Sequence, residues 1–139
     1  MWGDYRVWAV LSALFAGLTA VLAKKGVEGV PSNLALFIRV CVVVVFAGAI
    51  VLATRQTGIT AVSRQAWLFL TLSAVATGAS WMCYFRALAT GPVSKVAPID
   101  KLSFVIAVIL GLVFLRESPS WKTLVGAGVI VAGVVITLA

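Results

Sequence analysis

The stretch LALFIRVCVVVVFAGAIVLA, residues 34–53, contains a single charged side chain, Arg39. A helix needs about 20 apolar residues to cross a hydrocarbon core about 30 Å thick. A segment in lipid must satisfy its own backbone hydrogen bonds, and this stretch lacks the alternation of a barrel strand. We therefore predict a transmembrane α-helix here. Arg39 is a candidate functional residue, because a charge inside a membrane is unfavourable and needs a partner.

Four further apolar segments accompany this one along the 139 residues. Hydrophobic residues make up 63% of the chain and charged residues 11%, whereas soluble domains contain roughly 45–50% apolar residues. We interpret the first segment as a retained span, because no convincing signal-peptide cleavage site follows it. We predict an all-α integral membrane protein, one domain at residues 1–139, with five transmembrane helices at about residues 7–23, 34–53, 66–85, 93–115 and 121–138.

Composition argues against several other classes of protein. The net charge of +7 comes from single or paired basic residues at the ends of apolar runs, where they can meet lipid phosphates. We therefore expect membrane lipid and no nucleic acid as a partner. Histidine is absent, and Cys41 and Cys83 are isolated in apolar runs, so we expect them to be small core residues. No nucleophile has a credible base, and we expect no enzyme, no metal site and no cofactor.

The fourth span carries charges near its start, in VSKVAPIDKLSF at residues 93–104. A helix that begins at Pro92 places Asp100 about 12 Å along its axis, at 1.5 Å per residue. Pro98 then lies inside the helix and frees a backbone carbonyl. A helix that begins at Pro98 would instead leave Asp100 to complement the helix dipole, with Lys101 extending to the interface. We favour the first alternative, since charges within membrane spans are usually functional.

Two mechanisms are open for these charges. Asp100 could bind a cation or exchange a proton, with its affinity tuned by Arg39 or Lys101. Alternatively, Arg39 and Lys101 could bind a carboxylate or phosphate of the substrate while Asp100 holds them in place. The two basic groups favour the second mechanism slightly over the first. Either mechanism makes these three residues the substrate- or ion-binding candidates.

The third span supplies a candidate wall for the same site. Thr77, Trp81 and Tyr84 fall on one broad helical face. The two aromatic rings could stack on a ligand ring or cover an apolar tail. The alternative is that the small polar residues of this face hold helices together.

Motifs in the second half of the chain resemble the EamA-type domain of the drug/metabolite transporter superfamily. They are Tyr-x-x-Ala-Leu at Tyr84, Ala87 and Leu88, a proline at Pro92, an acid in a short turn at Glu117, and a glycine-rich ending at Gly126, Ile130, Gly133 and Val134. The resemblance implies transport of a small metabolite or drug. Larger members carry two such domains in inverted orientation, which gives ten helices. The small multidrug resistance branch of the superfamily is also similar, and its members carry an essential glutamate in the first helix. That glutamate aligns with Ala16 here. The difference argues against the proton-coupled export of cationic drugs that this branch performs.

Charge balance and small residues indicate how copies of the chain could pair. An odd number of spans puts Arg6, Arg55, Arg64, Arg116 and Lys122 on one side and Lys24, Lys25, Arg86 and Lys95 on the other. So small a bias orients a protein weakly, and either one orientation or dual topology could result. Small residues in the last span predict a packing seam, within one subunit or between two: Gly126, Gly128, Ala132 and Gly133.

We therefore expect a secondary transporter of a small metabolite or drug-like solute, working by alternating access as a homodimer. An antiparallel pair would reproduce the ten helices of an inverted repeat. The alternative is a non-transporting membrane subunit that completes a hetero-oligomeric complex. The expected location is the plasma (inner) membrane of a prokaryotic cell, and the expected partners are a second copy, lipid and a small-molecule substrate.

Overall fold

A computed structural model describes residues 4–139, and residues 1–3 lie outside the described part. Within it, five helices are long and apolar enough to cross a membrane, as the sequence predicts. The fourth of these spans consists of two helical segments. The helices are α1 (Tyr5–Gly26), α2 (Ser32–Ala53), α3 (Arg64–Thr90), α4 (Val93–Asp100), α5 (Leu102–Phe114) and α6 (Trp121–Leu138).

Three helices begin at polar caps rather than at the first apolar residue. The Asp4 side chain accepts a hydrogen bond of 2.9 Å from the backbone N–H of Arg6 at the start of α1. Ser63 accepts one from Ala66 before α3, and Ser120 caps α6. Such caps satisfy N–H groups that have no partner in the first helical turn. These caps begin α1 and α3 two residues before the predicted spans at 7–23 and 66–85, and both helices also extend further at their C-terminal ends, to Gly26 and Thr90.

The fourth span begins after Pro92 and breaks at Lys101. Pro98 lies inside α4, so the structure contains the earlier of the two possible helix starts. Lys101 has ψ near −11°, and its N–H donates to the carbonyl of Pro98 at 3.0 Å. This bond spans three residues, as in a 3₁₀ turn, instead of the four of an α-helix. The span is therefore two short helices joined at a charged residue.

The chain divides into two compact units, the first extending to Thr90 and the second running from Gly91 to Ala139. In the first unit α3 packs against both α1 and α2. Its buried apolar side chains are Ala20, Val27, Phe85 and Leu88. No residue of α2 is buried, although α2 contains the longest apolar run. The apolar surface of α2 is therefore available to lipid or to another chain.

The end of α2 has an unusual residue at its turn. Arg55 adopts φ of 55°, and its N–H donates to Leu52 while Gln56 donates to Val51. This pair of bonds is the Schellman motif, whose left-handed position is usually glycine. Arg116, shortly after α5, has a similar φ of 54°. Both arginines therefore occupy a backbone conformation that is unfavourable for a side chain.

In the second unit both α4 and α5 pack against α6. Ala127 and Val134 of α6 are buried, two turns apart on one face. The turn after α5 folds back, and the N–H of Glu117 donates to the carbonyl of Gly111 at 3.2 Å. A Cβ at Gly111 would lie 3.1 Å from a carboxylate oxygen of Glu117. Glycine at position 111 therefore lets this acidic turn close against α5.

Large apolar side chains remain exposed along all of these spans. In water such a surface would be unstable, and it fits a chain surrounded by lipid. Cys41 and Cys83 are also exposed, so the expectation that they are core residues is wrong. Both lie on helix surfaces that α2–α3 packing leaves uncovered. The protein is an integral membrane protein.

Candidate functional site

Arg39 of α2 lies over two aromatic rings of α3. Its guanidinium carbon is 4.6 Å from the centre of the Trp81 ring and 5.4 Å from that of Phe85. Trp81 and Phe85 are one helical turn apart, so both rings face α2. Phe85 is buried, whereas Arg39 and Trp81 are half-buried. A cation over a ring gains about 2 kcal/mol or more where water is excluded.

This stacking changes the role expected for Trp81. One face of the indole is taken by Arg39, so that face does not meet a ligand directly. Arg39 lies about 10 Å along α2 from Ser32, at 1.5 Å per residue. At the centre of a membrane helix, insertion of a charged side chain costs about 2.5–3.5 kcal/mol, as judged from membrane-insertion experiments. The rings therefore offset much of the cost without neutralising the charge.

A cavity of about 370 Å³ opens beside Arg39. Helix α1 contributes Thr19 and Leu22 to its lining, α2 contributes Ile38 and Arg39, and α3 contributes Phe85. Apart from the guanidinium and the Thr19 hydroxyl, these side chains are apolar. Such a volume is within the range of about 300–1,000 Å³ typical of small-molecule pockets.

Lys24 connects α1 to the end of α3. Its ammonium nitrogen donates to the carbonyl of Leu88 at 2.7 Å, and Leu88 is fully buried. The helical partner of that carbonyl would be the N–H of residue 92, which is a proline and has none. A cation at a helix C-terminus also complements the helix dipole. Lys24 therefore stabilises the end of α3, the helix that carries the aromatic rings.

Two other predicted residues of α3 lie near Trp81 in sequence. The Thr77 hydroxyl donates to the carbonyl of Ser73 at 2.9 Å, and Thr77 is exposed. Its proton is thus used within its own helix, and its oxygen remains an acceptor. Tyr84 is half-buried, and Thr77, Trp81 and Tyr84 share a broad face at 100° per residue. The cavity beside Arg39 is lined by neither Thr77 nor Tyr84.

The charged pair of the fourth span lies in the second unit. A carboxylate oxygen of Asp100 is 3.6 Å from the ammonium nitrogen of Lys101. Lys101 also lines a groove of about 530 Å³ with Pro98, Phe104 and Gly133. The walls of this groove are almost entirely apolar, so Lys101 contributes its aliphatic stem to them rather than its ammonium group. Within residues 4–139 no cluster of three His, Cys, Asp or Glu side chains could hold a metal ion.

The four predicted seam residues of α6 form two strips rather than one. At 100° per residue, Gly128 lies about 200° around the helix from Gly126. Gly133 shares the face of Gly126, and Ala132 lies near Gly128. A Cβ at Gly126, Gly128 or Gly133 would meet nothing within 4 Å. None of these glycines is therefore needed for close packing within the chain.

Residues 5–139 match the EamA-like transporter family. The chain belongs to this family. The match extends through both compact units, and it confirms the resemblance found in the sequence.

A Sinorhizobium protein named "Uncharacterized transporter in cobO 3'region" is 46% identical to the EamA-like chain over 134 residues. The alignment covers 96% of this chain and 95% of the relative. No solved structure matches the chain. The family and the relative together support a membrane transporter rather than an enzyme.

Sequence reasoning missed three residues of the first unit. The sequence does not predict Phe85 beside Arg39, and it indicates for Lys24 only a place at a membrane border. Thr19 was not considered as part of a pocket. Only Lys24 had a sequence signal, since Pro92 removes the N–H that would otherwise bond to Leu88. The other contacts depend on the rotation of packed helices, which these uniformly apolar spans do not reveal.

Proposed function

We propose that this EamA-like chain is a secondary transporter of a small solute, working by alternating access. The observation that carries the proposal is the break of the fourth span at its charged pair, Asp100 and Lys101. Broken helices in transporters expose backbone groups and charges to a site near the middle of the membrane. A stable structural span has no need for a proline, an ion pair and a break at one place.

In this proposal Lys101 contacts the substrate and Asp100 positions it. Lys101 lines the groove beside α6, and Asp100 pairs with its ammonium group. Arg39, Trp81, Tyr84 and Thr77 then form further parts of the substrate route. Thr77 contributes least directly to this route, because its hydroxyl already donates a hydrogen bond to the backbone of its own helix.

We further propose that two copies work as an antiparallel homodimer in the plasma (inner) membrane of a prokaryotic cell. The nearly equal basic charge on the two sides supports dual topology. The open glycine faces of α6 support close approach of a second helix. Two inverted copies would supply the ten-helix plan of transporters built from inverted repeats.

Uptake into proteoliposomes tests the transport proposal. The probes are radiolabelled benzoate, leucine and tetraphenylphosphonium, which represent anionic, zwitterionic and cationic solutes. We expect Lys101→Met to lower uptake of the transported probe at least about tenfold, equivalent to about 1.4 kcal/mol. Asp100→Asn should lower it less, because the ammonium group remains. Lys95→Met, a change of an exposed lysine on the same helical segment, is the matched control. Unchanged uptake in the Asp100→Asn, Lys101→Met double variant would refute the assigned site.

Topology is measured with a cysteine at the C-terminus, after Cys41 and Cys83 are replaced by alanine. Near-equal labelling from both sides of intact vesicles supports the antiparallel homodimer. Labelling from one side alone argues against it and favours a subunit that needs a different partner.

A further inference from the structure

We propose that the cavity between α1, α2 and α3 in the first unit binds an organic anion with an apolar body. The Arg39 guanidinium would hold the anionic group, a carboxylate or a phosphate. The use of this cavity during transport rests on the proposed function, whereas the binding itself does not.

The first step is that Arg39 has no anionic partner of its own. Among residues 4–139 no acidic side chain pairs with Arg39, and its contacts are the two aromatic rings. Lys101, by contrast, is paired with Asp100. The rings stabilise the positive charge, but they are not strong hydrogen-bond acceptors for the five guanidinium N–H groups. A deep arginine therefore retains unused donors.

The second step is that those donors are reachable. No buried side-chain nitrogen or oxygen among residues 4–139 lacks a hydrogen-bond partner. Because Arg39 has no hydrogen bond there, its nitrogens must keep accessible surface, and Arg39 lines the cavity. The planar guanidinium matches the two oxygens of a carboxylate or phosphate. The rings of Trp81 and Phe85 hold its plane in place.

The third step is the match between the walls and an apolar body. Leu22, Ile38 and Phe85 offer aliphatic and aromatic surface. The Thr19 hydroxyl makes no hydrogen bond within the described chain, so it can donate to an anion oxygen or accept from a ligand hydroxyl. A volume of about 370 Å³ accommodates one or two fused rings with a carboxylate. A cationic ligand would instead meet the guanidinium with no acid to balance it.

Equilibrium binding tests the proposal without any transport step. The whole chain, purified in dodecyl maltoside, is titrated with 2-naphthoate in a calorimeter, and with neutral 2-naphthamide of the same shape. We expect the anion to bind at least about tenfold more tightly, because a guanidinium–carboxylate pair is charge-assisted and bidentate. Equal affinity for the acid and the amide would overturn the proposal.

Variants assign the binding to this cavity. Arg39→Met should weaken naphthoate binding at least about tenfold. Arg39→Lys should weaken it less, since lysine keeps the positive charge but lacks the planar guanidinium that binds two oxygens at once. Arg86→Met removes an exposed arginine beside Phe85 in sequence and should change nothing. If Arg39→Met does not fold, Leu22→Trp serves instead: it fills the cavity, leaves Arg39 in place and should also abolish binding. Full binding in Leu22→Trp would contradict the assignment.

An anionic lipid presents the same chemistry as a soluble carboxylate. Nanodiscs of phosphatidylcholine, with and without phosphatidylglycerol, separate the two sources. Phosphatidylglycerol that competes with naphthoate, and competes less strongly in Arg39→Lys, identifies lipid as the occupant and supports the anion site. Naphthoate binding that is unaffected by phosphatidylglycerol supports a soluble occupant.

The two proposals can fail separately. Naphthoate binding that depends on Arg39, without uptake of any probe into proteoliposomes, rejects transport and retains the anion site. Uptake that is unchanged in Arg39→Met, together with no naphthoate binding, rejects the anion site and retains transport.

Discussion

Replacing Lys24 by methionine tests the contact that holds the end of α3. Methionine keeps an unbranched chain of similar length and removes the ammonium group that bonds to the Leu88 carbonyl at 2.7 Å. Losing a hydrogen bond to a charged group, which leaves the carbonyl acceptor unsatisfied, costs about 1.5–3 kcal/mol. Loss of the cation near the helix C-terminus adds about 0.3–1 kcal/mol. Because Lys24 is half-buried, we expect a total loss of about 2 kcal/mol, near the low end.

The measurement is the free energy of unfolding in mixed micelles, from titration with dodecyl sulfate followed by circular dichroism. Lys25→Met is the matched control, since Lys25 is exposed and adjacent and its loss removes the same charge from the same side. We expect the control to change stability by less than about 0.5 kcal/mol, as for most surface substitutions. Equal destabilisation by the two variants would show that net charge matters, and the assignment of Lys24 to the end of α3 would be wrong.

Two further predictions concern α6 and the turn after α2. Gly128→Leu should weaken dimerisation at least about tenfold, or about 1.4 kcal/mol, measured by single-molecule photobleaching in liposomes. Its Cβ position is open within the chain, so helix content should not change, and a dimer of unchanged affinity would exclude this strip from the interface. Arg55→Gly should raise the free energy of unfolding by about 0.5–1 kcal/mol, because relief of a left-handed penalty of about 1–2 kcal/mol exceeds the added chain entropy. Arg86→Gly inside α3 should lower it by about 1 kcal/mol, and a loss of stability in both variants would contradict the reasoning.

The spans could be predicted because length and apolar content alone define a membrane helix. Their ends could not be predicted as well, since Asp4 and Ser63 extend α1 and α3 into polar sequence through caps. The break in the fourth span lies at Lys101, and not at Pro98, whose effect on the helix is the one that the sequence predicts. Proline disturbs the carbonyl four residues earlier, but the change to a 3₁₀ bond occurs after it, at the N–H of Lys101.

The candidate site could be predicted only in part, because the sequence reveals embedded charges but not which helix faces meet. Arg39 was identifiable because a charge inside an apolar run is rare in any membrane span. Its two ring partners were not, because α2 is apolar on nearly all sides and its periodicity does not fix which face meets α3. The pairing of Asp100 with Lys101 was one of several arrangements that the sequence allowed. Contacts between helices therefore needed the structure, whereas the embedded charges did not.

Arg55 and Arg116 combine an unfavourable backbone conformation with a charge that bears on how the chain is oriented across the membrane. Both occupy left-handed turns after spans, where glycine would be more stable by the reasoning above, so a benefit other than folding must favour arginine there. In the predicted topology both lie on the side with the slightly larger basic charge, and the loss of either would equalise the two sides. If these charges set the balance between orientations, Arg55→Gly should make C-terminal labelling from the two sides of the vesicle more nearly equal, even as it stabilises the fold. A variant that is more stable and unchanged in labelling would refute this role of Arg55 in orientation.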